Sequence, residues 1–364
     1  IHRSFSFIIA AASFYAAAGG DPYIARVIIM VSSVLTFLVG NSAGAGWWAW
    51  MNELIPSASR ASYFGRRSAL AQSMNVAAFF TASLALDYFS SNGFIIFGTI
   101  YAVSGMLGVF EPLVHITVPE PETAHGAQPP LTWKKFTAPF RDRNFRILCI
   151  VAGVSLLSIN ISLPFFAPMI TSPRGVNAPY IWLGIMFAIS QLTWVLVIPF
   201  WGTLIDRFNA KSVVMIGMLY PLTYIGYMFL TADNYVFVLP VIAIIGGLLS
   251  PAFYEGLNQI MLSLLPRKNR TVYTAWYWGM LGTIQALGPI FGGILLQGTG
   301  TINIPVMVTI GGIIVSFLIF DSIRIGKEVK FTRAVTMASS PGVVKAYFNI
   351  PVLAKSKNRA KVEK

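Results

Sequence analysis

Ten apolar runs separated by short polar turns dominate this chain. They lie at roughly 5–19, 24–52, 68–88, 93–117, 145–170, 179–201, 212–231, 235–263, 272–297 and 302–323. About 20 apolar residues is the length of helix that crosses the hydrocarbon core of a bilayer. There each backbone N–H and C=O must find its partner within the segment, and for runs of this kind that means a helix. The supply of charge agrees. Only 11% of residues are charged and 55% are hydrophobic, against roughly 25% charged in soluble domains. The expected fold class is therefore all-α, a polytopic helical membrane protein with about ten transmembrane helices. The first run is short and ends at Gly19, Gly20, Asp21 and Pro22. The second carries Gly40, Gly44 and Gly46, small residues that let helices approach closely in lipid. It closes on Trp47, Trp48 and Trp50. These rings read either as a stacking wall for a substrate or as an aromatic belt at the membrane interface.

One long polar stretch interrupts the runs. Residues 118–144 hold Pro119, Pro121, Pro129, Pro130 and Pro139, a composition that predicts an extended linker. Within it, Trp133 to Phe140 reads as a segment lying on the membrane surface. The expected organisation is a partial N-terminal helical bundle of four spans (1–117), a cytoplasmic linker (118–144), a six-helix C-terminal bundle (145–326) and a basic cytoplasmic tail (327–364). The cations are one-sided. Arg3, Arg60, Arg66, Arg67, the linker cations, Arg207, Lys211, Arg267, Lys268, Arg270 and the tail fall on one side, and only Arg26 and Arg174 on the other. Such asymmetry marks the first side as cytoplasmic, and ten crossings return the tail to it. The net charge of +13 is thereby accounted for without nucleic acid as a partner. The tail reads as a lipid-facing extension.

Two polar turns carry motifs. Gly202 to Lys211 reads Gly-Thr-Leu-Ile-Asp-Arg-Phe-Asn-Ala-Lys, a hinge with an acid, Asp206, beside Arg207 and Lys211. The pattern G-x-L-x-D-R-x-x-x-K/R between two spans resembles the cytoplasmic loop signature of the major facilitator superfamily of secondary transporters. The loop Glu53 to Arg67 resembles the form E-L-[IV]-P-x-x-x-R-G-R-Y-F-G-R-R of a bacterial branch of that superfamily, largely without assigned substrates. The chain departs from it with Ala61 and Ser62 where Gly and Arg are usual. An internal repeat is also visible. Gly46, Pro56, Arg60 and Tyr63 recur 210 residues later as Gly256, Pro266, Arg270 and Tyr273. Two similar halves are the expected build of this class of transporter. The same offset places a first-half copy of the Gly202–Lys211 signature at and before Ile1, so the chain reads as spans three to twelve of a twelve-helix fold, an N-terminally truncated fragment rather than a naturally shortened protein. The resemblance implies an integral protein of a bacterial inner membrane with its C-terminus in the cytoplasm.

An acid near mid-membrane costs about 2.5–3.5 kcal/mol, so it needs a reason. Glu255 is the clearest case, and on a helix it shares a face with Asn258 and Gln259. A carboxyl with two amides can line a polar cavity and is a candidate proton carrier. Several members of the superfamily use an acid of the tenth helix in coupling, and by count this is the tenth. The alternative is a structural acid, paired with a cation or with backbone freed by Pro251. Further cavity candidates are Asn160, Gln191 with Trp194 three residues on, and Gln285 ahead of Gly288-Pro289. That Gly-Pro run resembles the kinked element of drug–proton antiporters, which carry it in the fifth helix. The run 68–88 has no Gly-Pro, which counts against a drug antiporter. Asp87 and Glu111, near run ends, read as structural. Glu53 and Asp206 read as gate charges able to pair with Arg207, Arg60 or Arg66 in one state and release them in another. With Gly202, Lys211, Arg67 and Arg270 they make up the expected cytoplasmic gate.

Catalytic, metal-binding and cofactor patterns are missing from the sequence. His2, His115 and His125 are far apart, and Cys149 is the one cysteine. An enzyme is not expected. The reading that follows is a secondary active transporter, moving a small solute by alternating access, with the bilayer and the solute as partners and protons as a candidate coupling ion. The alternative is a non-transporting membrane protein of the same fold, a sensor or assembly partner.

Overall fold

The computed structural model describes residues 2–55, 57–118, 132–207, 210–266 and 270–321. The described residues form thirteen α-helices: α1 (Phe5–Ala17), α2 (Pro22–Leu54), α3 (Ser57–Tyr88), α4 (Gly93–Ile116), α5 (Trp133–Phe136), α6 (Ala138–Arg141), α7 (Arg143–Thr171), α8 (Ile181–Arg207), α9 (Ala210–Gly217), α10 (Ile225–Met228), α11 (Tyr235–Leu264), α12 (Arg270–Thr299) and α13 (Asn303–Asp321). Seven stretches among them are long and apolar enough to cross a membrane, and α1 and the front of α2 are shorter apolar helices. No strand occurs among the described residues. The chain is an integral membrane protein of the all-α class.

Local chemistry sets the helix ends. Asp21 caps α2 by accepting from the Tyr23 N–H at 2.8 Å, and Pro22 fills the first turn, where its missing donor costs nothing. Asp142 caps α7 from the N–H groups of Asn144 and Phe145. Ile55 is extended, as a residue before proline must be, and it ends α2.

Three expectations about turns are corrected. The 53–67 segment is not an extended loop. α2 runs through Leu54 and α3 starts at Ser57, because after Pro56 nothing breaks a helix before Gly65. The 202–211 hinge is likewise mostly helix. α8 continues to Arg207 and α9 begins at Ala210. Gly202 sits inside α8, and an added Cβ there would meet open space, so neither a bend nor a close approach requires a glycine. Conversely, the run 212–231 is not one continuous span. It breaks into α9, a 3₁₀ turn (Tyr220–Tyr224) and α10. Pro221 has no N–H to give the helix ladder, and the Thr223 hydroxyl donates to the Tyr220 carbonyl at 2.6 Å.

The main apolar cluster of the described residues lies between residues 145 and 320, while Ile9, Ala10, Ala12, Ala25, Met51 and Ile55 are buried before the linker. α7 is the spine of the main cluster. On one flank it meets α13 along a polar seam, where Ser155 and Ser316 hydroxyls lie 2.6 Å apart and Ser162 and Thr309 lie 2.7 Å apart. Ser316 and Thr309 donate onward to the carbonyls of Val151 and Ser158, so Ser155 and Ser162 are the donors within each pair. On its other flank α7 meets α12, with Gly288 against Asn160 and Gly292 under the Ile161 carbonyl. α8 and α9 pack on α11. Before the linker, α1 packs with α2 and α4, whereas α3 lies chiefly against α8.

The ends sort by charge. The Trp276 indole N–H donates to the Phe136 carbonyl at 2.9 Å, holding α5 to the start of α12. The Lys211 Nζ donates to the Asp321 carbonyl at 3.0 Å, joining the start of α9 to the end of α13. These contacts gather Lys134, Arg141, Arg143, Lys211 and Arg270 at one end of the bundle. Arg26 and Arg174 lie near the other.

Candidate functional site

The site is built on α8 and α11. These helices are joined by the Ser190 hydroxyl, which donates to the Ala243 carbonyl at 3.1 Å, and by the Trp201 indole N–H, which donates to the Leu248 carbonyl at 2.8 Å. Glu255 lies nine residues before the end of α11, about 14 Å in along the axis. It is half-buried, with the half-buried Asn258 one turn on along the same face of α11. Gln259, expected on the same face, is exposed. One residue before Glu255, the Tyr254 ring lies 6.1 Å from the ring of Trp194 on α8. The Tyr254 hydroxyl reaches that of Tyr220 at 3.1 Å. Tyr220 in turn meets Tyr224 edge-on, with ring centres 6.2 Å apart. Gln191, one turn before Trp194, has a buried Oε1 with no donor among the described residues.

The expected cavity residues therefore divide. Trp194 joins α11 through Tyr254, and Gln191 stands beside it. Glu255 and Asn258 form a pair. Asn160 belongs to a different contact. Its amide donates to the Leu156 carbonyl of its own helix at 2.8 Å, beneath Gly288 of α12. Gln285 is half-buried on α12, three residues before that glycine. A cavity of about 460 Å³ opens between α7 and α12 beside α6, but its walls are apolar, with Phe140, Phe145, Cys149, Trp276 and Met280 among them and Arg146 the one charged group. None of the expected cavity residues lines it.

The expected gate is described in part. The side chains of Glu53, Arg60, Asp206 and Arg207 lie outside the described residues. Arg67 stacks its guanidinium over the Trp47 ring, 4.3 Å from the centroid. Trp50 lies beside His115 at 5.5 Å. These two rings have partners within the chain, beyond a place at the interface. Arg66 and Arg270 are exposed. Glu111 forms an ion pair with Arg3, tying α4 to the start of α1, as a structural acid should.

In the sequence the tyrosine cluster goes unread, and Asp87 reads as structural without its partners. The tyrosines 220, 224 and 254 gave only their apolar character as a signal. Asp87 stood at a run end, and its partners, the N–H groups of Tyr180 and Ile181, are 93 and 94 residues away.

Membrane-length helices around a half-buried acid, an aromatic wall and an unsatisfied amide define a polytopic membrane protein with polar groups held inside its bundle. The chain belongs to the Major Facilitator Superfamily, whose sequence profile matches residues 4–254 and 148–354. Among its curated relatives, the multidrug resistance protein MdtG of Enterobacter lignolyticus (strain SCF1) is 25% identical over 189 residues, covering 48% of this chain and 40% of that protein. MdtG of Rahnella sp. (strain Y9602) is 28% identical over 195 residues, 50% of this chain and 41% of that one. The class H tetracycline resistance protein of Pasteurella multocida is 21% identical over 200 residues, 55% of this chain and 48% of that one. The chain thus spans less than half the length of these relatives in each match. Among solved structures, the nucleoside transporter NupG is similar with a TM-score of 0.61 and 16% identity, over 89% of this chain and 82% of that one. That likeness concerns the fold.

Proposed function

We propose that this protein is a secondary transporter that moves a small organic solute by alternating access, with Glu255 carrying the coupling proton. The observation that carries the reading is the α8–α11 group. A half-buried carboxyl stands well inside a membrane helix, one turn from the Asn258 amide and next to an aromatic wall formed by Trp194 and Tyr254. An acid so placed needs a use or a partner, and no cation pairs with Glu255 among the described residues. The wall offers ring faces to a flat solute, and Gln191 offers an acceptor to a solute N–H or O–H. We assign residues 1–117 and 145–326 to the two rocking bundles and 118–144 to the linker between them. The basic end is read as cytoplasmic and the membrane as the bacterial inner membrane. The gate is assigned to Glu53, Arg60, Arg66, Arg67, Asp206, Arg207, Lys211 and Arg270.

The names of the relatives suggest the first solutes to offer: tetracycline, a nucleoside such as uridine, and a drug-like dye such as ethidium. The lack of Gly-Pro in 68–88 weighs against the drug class, so the nucleoside serves as the counter-case. In proteoliposomes with an imposed pH gradient, the chain is expected to move one of these above the protein-free rate. Glu255→Gln is expected to abolish gradient-driven accumulation while solute exchange without a gradient persists. Unchanged accumulation in Glu255→Gln would end the coupling role. Absence of any flux from a folded protein would favour the sensor or assembly reading.

A further inference from the structure

We propose that Asp87 is a latch that closes the bundle at the end opposite the basic loops, by capping α8 across the two helical groups. Asp87 is one residue short of the end of α3. Its Oδ1 accepts from the Tyr180 N–H and its Oδ2 from the Ile181 N–H, each at 2.5 Å. Ile181 is the first residue of α8. The opening N–H groups of a helix have no partner inside it, and they form the positive end of its dipole. In α2 and α7 the cap comes from the adjoining residue, Asp21 or Asp142. α8 has no acidic residue in its own first turn. It takes its cap from a helix on the far side of the linker, and these bonds exist only while α3 and α8 stand together.

The contact continues inward from the carboxylate. The rings of Phe79 and Phe187 lie 4.7 Å apart. Between the latch and these rings, Gly184 faces Phe80 and the buried Ser83, and a Cβ added at Gly184 would lie 3.2 Å from both. An apolar seam about two turns long, with Ser83 buried in it, is thus topped by two charge-assisted bonds. Opening this end costs both bonds at once and leaves the first turn of α8 without its acceptor, whereas closing restores them. The latch is an all-or-none element of the kind that gating between two states requires. Its use rests on the rocking motion proposed above, but its test needs no solute.

The test reads access to the seam in the full chain, in membranes, on a Cys149→Ser background. Ser83→Cys is treated with a membrane-impermeant maleimide added on the side where α3 ends. With Asp87 intact, labelling is expected to be slow. Asp87→Ala is expected to speed it at least tenfold, and Asp87→Asn less, since its one carbonyl keeps an uncharged bond. Ser91→Cys, exposed in the 3₁₀ turn (Ser90–Asn92) just beyond α3, is expected to react at one rate throughout. Equal labelling of Ser83→Cys with and without the Asp87 carboxylate would overturn the proposal. In case Asp87→Ala fails to fold, the pair Asp87→Cys with Tyr180→Cys gives an independent reading. Oxidation is expected to cross-link it and reduction to release it, and a pair that never cross-links would equally overturn the proposal. A latch without transport leaves these outcomes as stated, and transport without a latch leaves flux intact while the labelling prediction fails.

Discussion

A buried amide oxygen without a donor, as at Gln191, costs about 1–3 kcal/mol of folding free energy. Folding alone gives no reason to keep it, but a solute that donates to it does. Gln191→Leu is therefore expected to leave thermal stability unchanged or raise it, while raising the half-saturation concentration of the transported solute at least fivefold. Detergent melting curves and uptake kinetics check the two halves of that expectation. A marked loss of stability would mean that the oxygen has a structural partner. At this scale the sequence told part of the story. Glu255 with Asn258, and Gln191 with Trp194, are neighbours on one helix turn, so spacing alone places them together. Trp194 against Tyr254 and Asp87 against Tyr180 bring together residues 60 and 93 positions apart, and no periodicity encodes such a meeting.

Between elements, small residues decide how closely helices lie. An added Cβ at Gly292 would strike the Ile161 carbonyl, a backbone atom that cannot turn aside as a side chain can. Gly292→Leu is expected to force α12 away from α7 and cost roughly 1–3 kcal/mol, as overpacking does. Gly298→Leu on the same helix, where nothing stands within 4 Å, is expected to be neutral. The yield of monodisperse protein and its melting temperature would tell the two apart. The ten apolar runs reappear as helical segments because hydropathy alone reports them. Their ends were less legible. The polar motif at 53–67 read as a loop, yet its Arg and Ala residues favour a helix, and the single Gly65 is carried within α3. Pro221 sits in a run apolar enough to hide the break it makes between α9 and α10.

Across the whole molecule, the main apolar cluster of the described residues falls after the linker, with smaller buried patches on α1 and α2, and the basic residues cluster at one end. The cation asymmetry and the linker were visible in composition. The placement of α3 against α8 was not, since it depends on shape and on a carboxylate borrowed across the chain. A last consequence follows from the seam of hydroxyls between α7 and α13. Were α13 to spin about its own axis by a quarter turn, Thr309 and Ser316 would lose the α7 carbonyls and fall back on carbonyls of their own helix, while Ser155 and Ser162 would lose the hydroxyls they donate to. The helix is keyed in place like a splined shaft, free neither to roll nor to slide by one residue. Spin labels on α7 and α13, at Ile150 and Leu318, should therefore report one unchanging separation in every state of the proposed transport cycle. Two resolved distances in a pulsed dipolar measurement would show that the key can slip.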